Sequence, residues 1–274
     1  MLKVFVDSGS SIKQEEKEKY NVEILPLKIL LNGKEYLDGV DLTMETFYHE
    51  LIENKQFPMT SLPSMQEAQD RVNACTAAGD DVIILAISSK ISGTYNALRL
   101  AFEDNPKVRV IDTLTAVGGV RILVDEINRH REKPLDEVVQ IVKNLIPRIK
   151  ILAIPETLTY LYRGGRLSKL SFVVGTVLKI NPIISFKNGG VVVDAKKRGL
   201  KASMQHITDA IAQTCDPNYE IVASYTYSKT NLETMIGMTD EKFKPQINVF
   251  DNLDPAIAAH WGPNAFGYIF VTKK

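Results

Sequence analysis

The sequence predicts an α/β protein built from two domains. In the first half of the chain, short apolar runs alternate with helical segments, the order expected of a mostly parallel sheet covered by helices. In the second half, apolar runs flank the turn residues of a β-hairpin, which indicates a sheet of mixed strand direction. The 274 residues, 45% of them apolar, can supply two cores. We therefore expect a three-layer αβα domain with a small β-ribbon at residues 1–150, and an α+β domain at residues 151–274.

The parallel sheet of the first domain is predicted from three apolar segments. LKVFVD, near the amino terminus, precedes a polar helical segment at about residues 14–20. DDVIILAIS and KVRVIDT are buried-strand candidates, and a helix beginning near Ser92 connects them. A strand, a helix and a second strand in this order predict a βαβ unit. A further helix is predicted at residues 135–146.

The β-ribbon and two more helices are predicted from turn and capping residues. Asn32-Gly33 lies between two apolar or alternating runs and is a strong signal for a two-residue hairpin turn. Thr43 and Ser64 each precede a helical segment, so their hydroxyls are predicted N-caps.

The second domain is predicted to mix hairpins and helices. The segment PIISFKNGGVVVDA contains the turn residues of a hairpin between two apolar runs, so at least part of this sheet is expected to be antiparallel. The predicted strands are KILAIPE, INPIISF, GVVVDAKK, EIVASYTY, INVFDN and AFGYIFVTK, and the predicted helices lie near residues 158–162, 169–177, 199–214 and 230–238.

Composition excludes several classes of protein. Lys plus Arg equal Asp plus Glu at 33 each, so no overall field recruits nucleic acid or an anionic membrane. Cys75 and Cys215 form neither a CxxC pair nor a Cys/His ligand spacing, which argues against structural zinc or a disulfide framework. No apolar run approaches the roughly 20 residues of a membrane span. We expect a cytoplasmic protein with no metal and no cofactor.

Two loops of the first half carry the residue types of an anion site. TSLPS at 60–64 contains Thr60 and Ser61, and SSKISGTYNA at 88–97 contains Ser92 and Thr94 directly after a buried strand. Hydroxyl donors and the N–H groups of a helix amino terminus suit a carboxylate or a phosphate. The alternative is that these hydroxyls only cap helices and stabilise turns.

Two stretches of the second half are also candidates. YRGGRLSK at 162–169 places Arg163 and Arg166 on either side of a Gly-Gly turn, which suits an anion or a partner but is equally typical of a solvated turn. HWGPNAFG at 260–267 begins with His260, which has either a structural or a site role.

These motifs, taken in order, resemble the DegV family. The combination is specific and covers nearly the whole chain: VDSGSS, LNGKEYLDGVD, TSLPS, ISGTYNA, YLYRGGRLSK, NPIISFKNGGV, KKRG and HWGPNAFG. The resemblance implies a long-chain fatty acid enclosed between the two domains. It also implies that hydroxyls of the first domain hold the carboxylate and that the second domain covers the acyl chain. The implied head-group contacts are Thr60, Ser61, Ser92 and Thr94, with His260 close by.

The resemblance further implies a partner. Proteins similar to this one can serve as the fatty-acid-carrying subunit of a fatty acid kinase, in which a separate ATP-binding subunit phosphorylates the carboxylate for phospholipid synthesis. Arg163, Arg166 and Arg198 would face that partner and its phosphate. The chain itself contains neither GxxxxGK[ST] nor a kinase-like GxGxxG run, so nucleotide is expected on the partner. Membrane contact is expected only during lipid exchange.

Two other functions remain open from the residues. A lipid store or sensor without a kinase partner has the same sequence requirements. A serine acyl hydrolase would use Ser92 or Ser8 with His260 and an acid such as Asp7, but the GxSxG nucleophile elbow is absent.

Overall fold

A computed structural model describes residues 1–169, 180–250 and 252–274. The chain divides into two compact units, each containing one segment from late in the sequence. Unit 1 consists of Met1–Pro147 and Asp254–Ala256, and unit 2 of Arg148–Leu253 and Ile257–Lys274.

Unit 1 contains a parallel sheet and a small antiparallel sheet. Its strands are β1 (Leu2–Asp7), β2 (Glu23–Leu25), β3 (Lys28–Leu31), β4 (Lys34–Leu37), β5 (Met59–Ser61), β6 (Asp81–Ala86) and β7 (Val108–Asp112). The first sheet has the order β2-β1-β6-β7 with all neighbours parallel, and the second has the order β4-β3-β5 with both pairs antiparallel. The predicted parallel sheet and β-ribbon are thus confirmed.

The helices of unit 1 follow most of the predicted signals. They are α1 (Lys17–Tyr20), α2 (Met44–Tyr48), α3 (Met65–Ala77), α4 (Thr94–Ala101), α5 (Gly118–Asn128) and α6 (Leu135–Leu145). Both predicted caps are confirmed: the Oγ1 of Thr43 accepts from the N–H of Thr46 at 3.2 Å, and the Oγ of Ser64 accepts from that of Glu67 at 3.3 Å. Side chains of α3 and α4 share one apolar cluster with β1 and β6.

Three elements of unit 1 were not predicted: β2 as a fourth strand of the parallel sheet, β5 and α5. The strand β5 is only three residues long and carries two hydroxyls, so it lacks an apolar run. The helix α5 begins at Gly118-Gly119 with no capping side chain, and its first seven residues are all buried. Two glycines and the absence of a capping side chain give no sequence signal for the start of this helix.

Unit 2 has a six-stranded mixed sheet. Its strands are β8 (Ile149–Ile154), β9 (Ile180–Lys187), β10 (Gly190–Arg198), β11 (Ile221–Tyr225), β12 (Ile247–Phe250) and β13 (Phe266–Val271), in the order β10-β9-β8-β13-β11-β12. Only β11 and β12 are parallel neighbours. The mixed sheet and the hairpin β9-β10 are confirmed. The turn residues Asn188 and Gly189 have φ of 50° and 82°, as a two-residue hairpin requires.

The helices described in unit 2 pack on this sheet and define its core. They are α7 (Thr159–Arg163), α8 (Leu200–Thr214), α9 (Thr230–Met238) and α10 (Pro255–Trp261), the last of which has its first two residues in unit 1. Ile207, Leu232 and Tyr268 are fully buried in one apolar cluster contributed by α8, α9 and β13. The helix predicted at residues 169–177 lies, apart from its first residue, outside the described residues.

The helix α10 was not predicted. Its sequence, PAIAAHW, is short and has no polar face before His260. In the described part of the chain, no helix is long and apolar enough to cross a membrane.

Candidate functional site

The TSLPS loop begins in strand β5, and the strand geometry separates its first two hydroxyls. Thr60 lies opposite the fully buried Ile29 of β3, whereas Ser61 lies opposite the partly exposed Lys28. Directly opposite residues share a face of the sheet, and successive residues of one strand point to opposite faces. Thr60 therefore lies on the buried face and Ser61 on the exposed one. The two side chains therefore point away from each other, and the predicted head-group roles of Thr60 and Ser61 stay predictions.

The second hydroxyl loop connects β6 to α4. The Oγ of Ser92 and the Oγ1 of Thr94 are 2.8 Å apart, and the Oγ of Ser92 also accepts from the backbone N–H of Thr94 at 3.2 Å. Thr94 is the first residue of α4 and is fully buried, whereas Ser92 is partly exposed. The loop thus presents a linked pair of hydroxyls at the positive end of a helix.

The two hydroxyl loops lie next to each other. A Cβ placed on Gly93 would be 3.5 Å from the Cδ2 of Leu62, the central residue of TSLPS. Leu62 itself is partly exposed. The structure therefore brings the two predicted loops of unit 1 together, although their roles in head-group binding stay a prediction.

The buried carboxylate of Asp7 bonds the backbone directly before the second hydroxyl loop. The Oδ1 of Asp7 accepts from the N–H of Gly9 at 2.9 Å, and its Oδ2 accepts from the N–H of Ile87 at 2.8 Å, directly before Ser88. Burial raises the pKa of Asp7 to about 7. The bond from Ile87 joins the ends of β1 and β6, which are parallel neighbours, and the bond from Gly9 stabilises the turn after β1. Asp7 is therefore a structural anchor, and the hydrolase role considered for it has no geometric support.

A second buried carboxylate connects three distant segments. The Oγ of Ser8 donates to the Oδ2 of Asp38 at 2.7 Å, and the N–H of Ala256 donates to its Oδ1 at 3.0 Å. Burial, and after it the negative charge of Asp254, raises the pKa of Asp38 to about 8. Lys13 pairs with Asp254.

Ser8 is unsuited to be a nucleophile. It is 2% exposed, and its Oγ also accepts from the N–H of Leu27 at 3.0 Å. Sequence analysis missed the Ser8–Asp38 pair. The only available signal was an acid directly after the strand KEYL, and its partners lie 30 and 218 positions away along the chain.

In unit 2, His260 lies in the last turn of α10 and touches the YRGGR turn. A Cβ on Gly164 would be only 2.2 Å from the Nδ1 of His260, so the imidazole packs on the bare backbone of that glycine. Burial and the charge of Arg166 lower the pKa of His260 to about 4, so the side chain is neutral at pH 7. The guanidinium of Arg166 donates to the carbonyl of Gly164. Two residues singled out separately in the sequence thus belong to one cluster.

The other two candidate arginines lie elsewhere in unit 2. Arg163 is the last residue of α7 and is exposed. Arg198 is the exposed last residue of β10, where it pairs with Ile180. That Arg163 and Arg198 face a kinase partner and its phosphate stays a prediction. No group of three or more His, Cys, Asp or Glu arranged to hold a metal ion occurs among the described residues.

Comparison with known proteins identifies the relatives of this chain. The model of the DegV family matches residues 1–273. A DegV domain-containing protein of Clostridium perfringens is 36% identical over 220 residues, covering 77% of each chain, and one of Clostridium acetobutylicum is 30% identical, covering 98% of each.

Two solved structures are similar over almost the whole length. A fatty-acid-binding DegV family protein from Thermus thermophilus superimposes with a TM-score of 0.88 at 25% identity, covering 99% of both chains. A stearic-acid-binding protein from Eubacterium ventriosum has a TM-score of 0.87 at 25% identity, covering 100% of this chain and 99% of its own.

Proposed function

Because the chain belongs to the DegV family, we propose that it binds a long-chain fatty acid and holds the carboxylate with hydroxyls of unit 1. The observation that carries the proposal is the linked hydroxyl pair of Ser92 and Thr94 at the start of α4, next to the TSLPS loop. The two similar structures described as binding fatty acids support the ligand class.

The chemistry of the hydroxyl loops suits one end of such a ligand. A buried carboxylate without partners is very costly, and hydrogen bonds from hydroxyl and N–H donors offset that cost without a permanent positive charge. Thr60, Ser92 and Thr94 are the proposed donors. Ser61 is left out because its side chain lies on the exposed face of β5.

Burial of the acyl chain supplies most of the affinity in this proposal. Each methylene removed from water contributes about 0.8 kcal/mol, so a long acyl chain contributes on the order of 10 kcal/mol before the ligand loses its freedom of motion. For His260, the proposal retains the predicted contact with the carboxylate. Since the imidazole is neutral at pH 7, it would take part as a hydrogen-bond donor and not as a second charge.

The first experiment asks whether lipid is present. We expect the native mass of the purified protein to exceed the denatured mass by one monocarboxylic fatty acid, which extraction then identifies. After delipidation, titration with oleate or palmitate should change the emission of Trp261, the one tryptophan in the chain. Equal masses, combined with unchanged emission and melting temperature on adding either acid, would refute the proposal.

The finer proposal is that the bound carboxylate is presented to a separate ATP-binding kinase subunit. A phosphate must approach an anionic carboxylate, so cations are needed to offset the repulsion, and arginine suits that task. Arg198 is the first candidate and Arg163 the second, since both are exposed. Arg166 is the third candidate, because it is only partly exposed and its guanidinium already donates to the carbonyl of Gly164.

The kinase proposal is tested by reconstituting acyl phosphate formation with an ATP-binding subunit from the same organism. We expect Arg198→Ala or Arg163→Ala to lose phosphorylation while still binding fatty acid. Lys187→Ala is the matched control, because Lys187 is an exposed cation at the other end of the same β9-β10 hairpin. Wild-type turnover in both arginine variants would return these residues to ordinary surface charges, and no turnover in the wild type would favour a lipid store.

A further inference from the structure

The two adjacent glycines of the YRGGR turn are required for different reasons. Gly165 has a φ of 75°, in the left-handed region that favours glycine, and a Cβ added there would have no atom within 4 Å. Gly164 has φ of −69° and ψ of −8°, which are angles that any residue adopts. A Cβ at Gly164 would instead lie 2.2 Å from the Nδ1 of His260 and 2.9 Å from its Cε1. Backbone conformation therefore explains the glycine at 165, and the space taken by the imidazole explains the one at 164.

A second ring packs on a second glycine of the same two segments, residues 160–164 and 260–262. A Cβ at Gly262 would lie 2.2 Å from the Cδ2 of Tyr160. The carbonyl of Tyr160 accepts from the N–H of Gly164 at 2.8 Å. Each segment thus supplies one aromatic ring and one glycine, with Tyr160 over Gly262 and His260 over Gly164. The two contacts are reciprocal, so a shift of either segment disturbs both rings.

Hydrogen bonds within unit 2 hold both glycines. The N–H of Gly262 donates to the carbonyl of Ala258 at 2.8 Å, and the Oγ1 of Thr226 donates to the carbonyl of Gly262 at 2.7 Å. In the other segment, the guanidinium of Arg166 donates to the carbonyl of Gly164. All of these residues belong to unit 2. The bare backbone of Gly164 is therefore a fixed surface for the imidazole.

We propose that Gly164 is a positioning residue for His260: the missing side chain of this glycine makes the space in which the imidazole packs. The inference rests on the proposed function in so far as His260 contacts the fatty acid carboxylate. Gly164 itself touches no ligand in this scheme. The turn, whose sequence suits an anion or a partner, thereby gains a further role inside unit 2.

The test compares Gly164→Ala with Gly165→Ala, the same substitution one residue later. In Gly164→Ala the new methyl group displaces the imidazole from a buried place, and burial is the main reason that the pKa of His260 is lowered to about 4. We therefore expect that pKa, followed by NMR, to rise toward the ordinary 6.5. Fatty acid affinity should fall about tenfold, because the imidazole loses its hydrogen bond to the carboxylate.

Gly165→Ala is the control for strain in the turn. Alanine is unfavourable at a left-handed φ, so the melting temperature should fall. The new methyl group would have no neighbour within 4 Å, so the titration of His260 and the affinity for fatty acid should match the wild type.

A double-mutant cycle locates the clash. In His260→Ala, the carbonyl of Tyr160, at 3.1 Å, is the one that remains of the three atoms nearest to a Cβ at Gly164. Gly164→Ala should therefore lower the melting temperature much less in the His260→Ala background than in the wild type, and should weaken binding no further there. Should Gly164→Ala fail to fold by itself, the double variant should regain folding.

The inference is overturned if Gly164→Ala leaves the His260 titration unchanged, or if Gly165→Ala moves that titration equally. It is also overturned if Gly164→Ala destabilises the protein as much without the imidazole as with it. If the wild type binds no fatty acid, the proposed function fails, and the His260 titration still decides whether Gly164 positions the imidazole.

Discussion

Unit 1 contains two sets of polar side chains near the ends of its strands: the hydroxyl loops and the buried carboxylates of Asp7 and Asp38. The two sets differ in exposure and in their hydrogen bonds. The hydroxyl loops contain neutral side chains, and Ser92 keeps partial exposure. The carboxylates of Asp7 and Asp38 are fully buried, and all four of their oxygens accept hydrogen bonds from the protein itself. A group whose bonds are already made inside the protein stabilises the fold, whereas an accessible hydroxyl can exchange its partner for a ligand. Partial exposure, more than residue type, therefore distinguishes Ser92 from the two buried carboxylates.

The largest expected effect is that of pH on the carboxylate network. Burial raises the pKa of Asp7 to about 7 and that of Asp38 to about 8, both from an ordinary value of 3.8. The pKa of Asp254 is also raised by burial, against the opposing charges of Lys13 and Arg121. Since the folded protein holds these protons more tightly than the unfolded chain, the contribution of these three carboxyl groups to stability is greatest below their ordinary pKa and is lost as the pH rises through the raised values.

We therefore expect the free energy of unfolding, measured with urea, to fall between pH 5 and pH 8. In Asp38→Asn, the free energy of unfolding should change less with pH over the same interval. A free energy that rises over this interval would contradict the proposed protonation of the network.

The next effect concerns Asp7 as an anchor. Asp7→Ala leaves the buried N–H groups of Gly9 and Ile87 without their acceptor, and each such loss costs about 1–3 kcal/mol. We expect the free energy of unfolding to fall by about 3 kcal/mol at pH 6, with Asp7→Asn losing less because one carbonyl oxygen remains. A loss of less than about 0.5 kcal/mol in Asp7→Ala would place Asp7 outside the structural network.

In the hydroxyl loops, by contrast, substitutions should change fatty acid affinity more than the free energy of unfolding. Ser92→Ala removes a hydrogen bond to a charged head group, worth roughly 1.5–3 kcal/mol, so fatty acid affinity should fall about tenfold or more. Thr60→Ala should behave similarly. Ser61→Ala is the control from the other face of β5 and should bind like the wild type. Calorimetric titration measures all three, and equal losses in Thr60→Ala and Ser61→Ala would overturn the assignment of faces.

The smallest expected effect comes from a matched pair of glycines. A Cβ on Gly9 would be 2.6 Å from the Cγ2 of Ile87 and 2.8 Å from the Oδ1 of Asp7, so Gly9→Ala should cost about 1–3 kcal/mol through overpacking. A Cβ on Gly93 meets only Leu62, at an ordinary 3.5 Å. Gly93→Ala should change stability by less than about 0.5 kcal/mol. Chemical denaturation of both variants distinguishes the tight loop from the open one.

The sequence by itself determined the elements whose signals are local. Strand β6 is a continuous apolar run, Asn32-Gly33 has the conformation that its turn demands, and the caps at Thr43 and Ser64 act on N–H groups three residues away. The hydroxyl loops were found for the same reason, because each lies beside a recognisable strand or helix start. The family followed from motifs in a fixed order, which requires no knowledge of contacts.

Only the tertiary structure decided the features that depend on distant partners. The face of β5 that carries Thr60 is set by pairing with Ile29, about thirty residues earlier, and the sequence could not place Thr60 and Ser61 on opposite faces because it does not show the strand itself. The helix α5 begins at two glycines without a capping side chain, and α10 is short and begins with five buried residues, so neither has a strong local signal in the sequence. The role of Asp38 depends on a bond to Ala256, 218 positions away. Burial, which sets both the pKa of a carboxyl and its access to a ligand, is a property of the whole fold and is not encoded in any local window of residues.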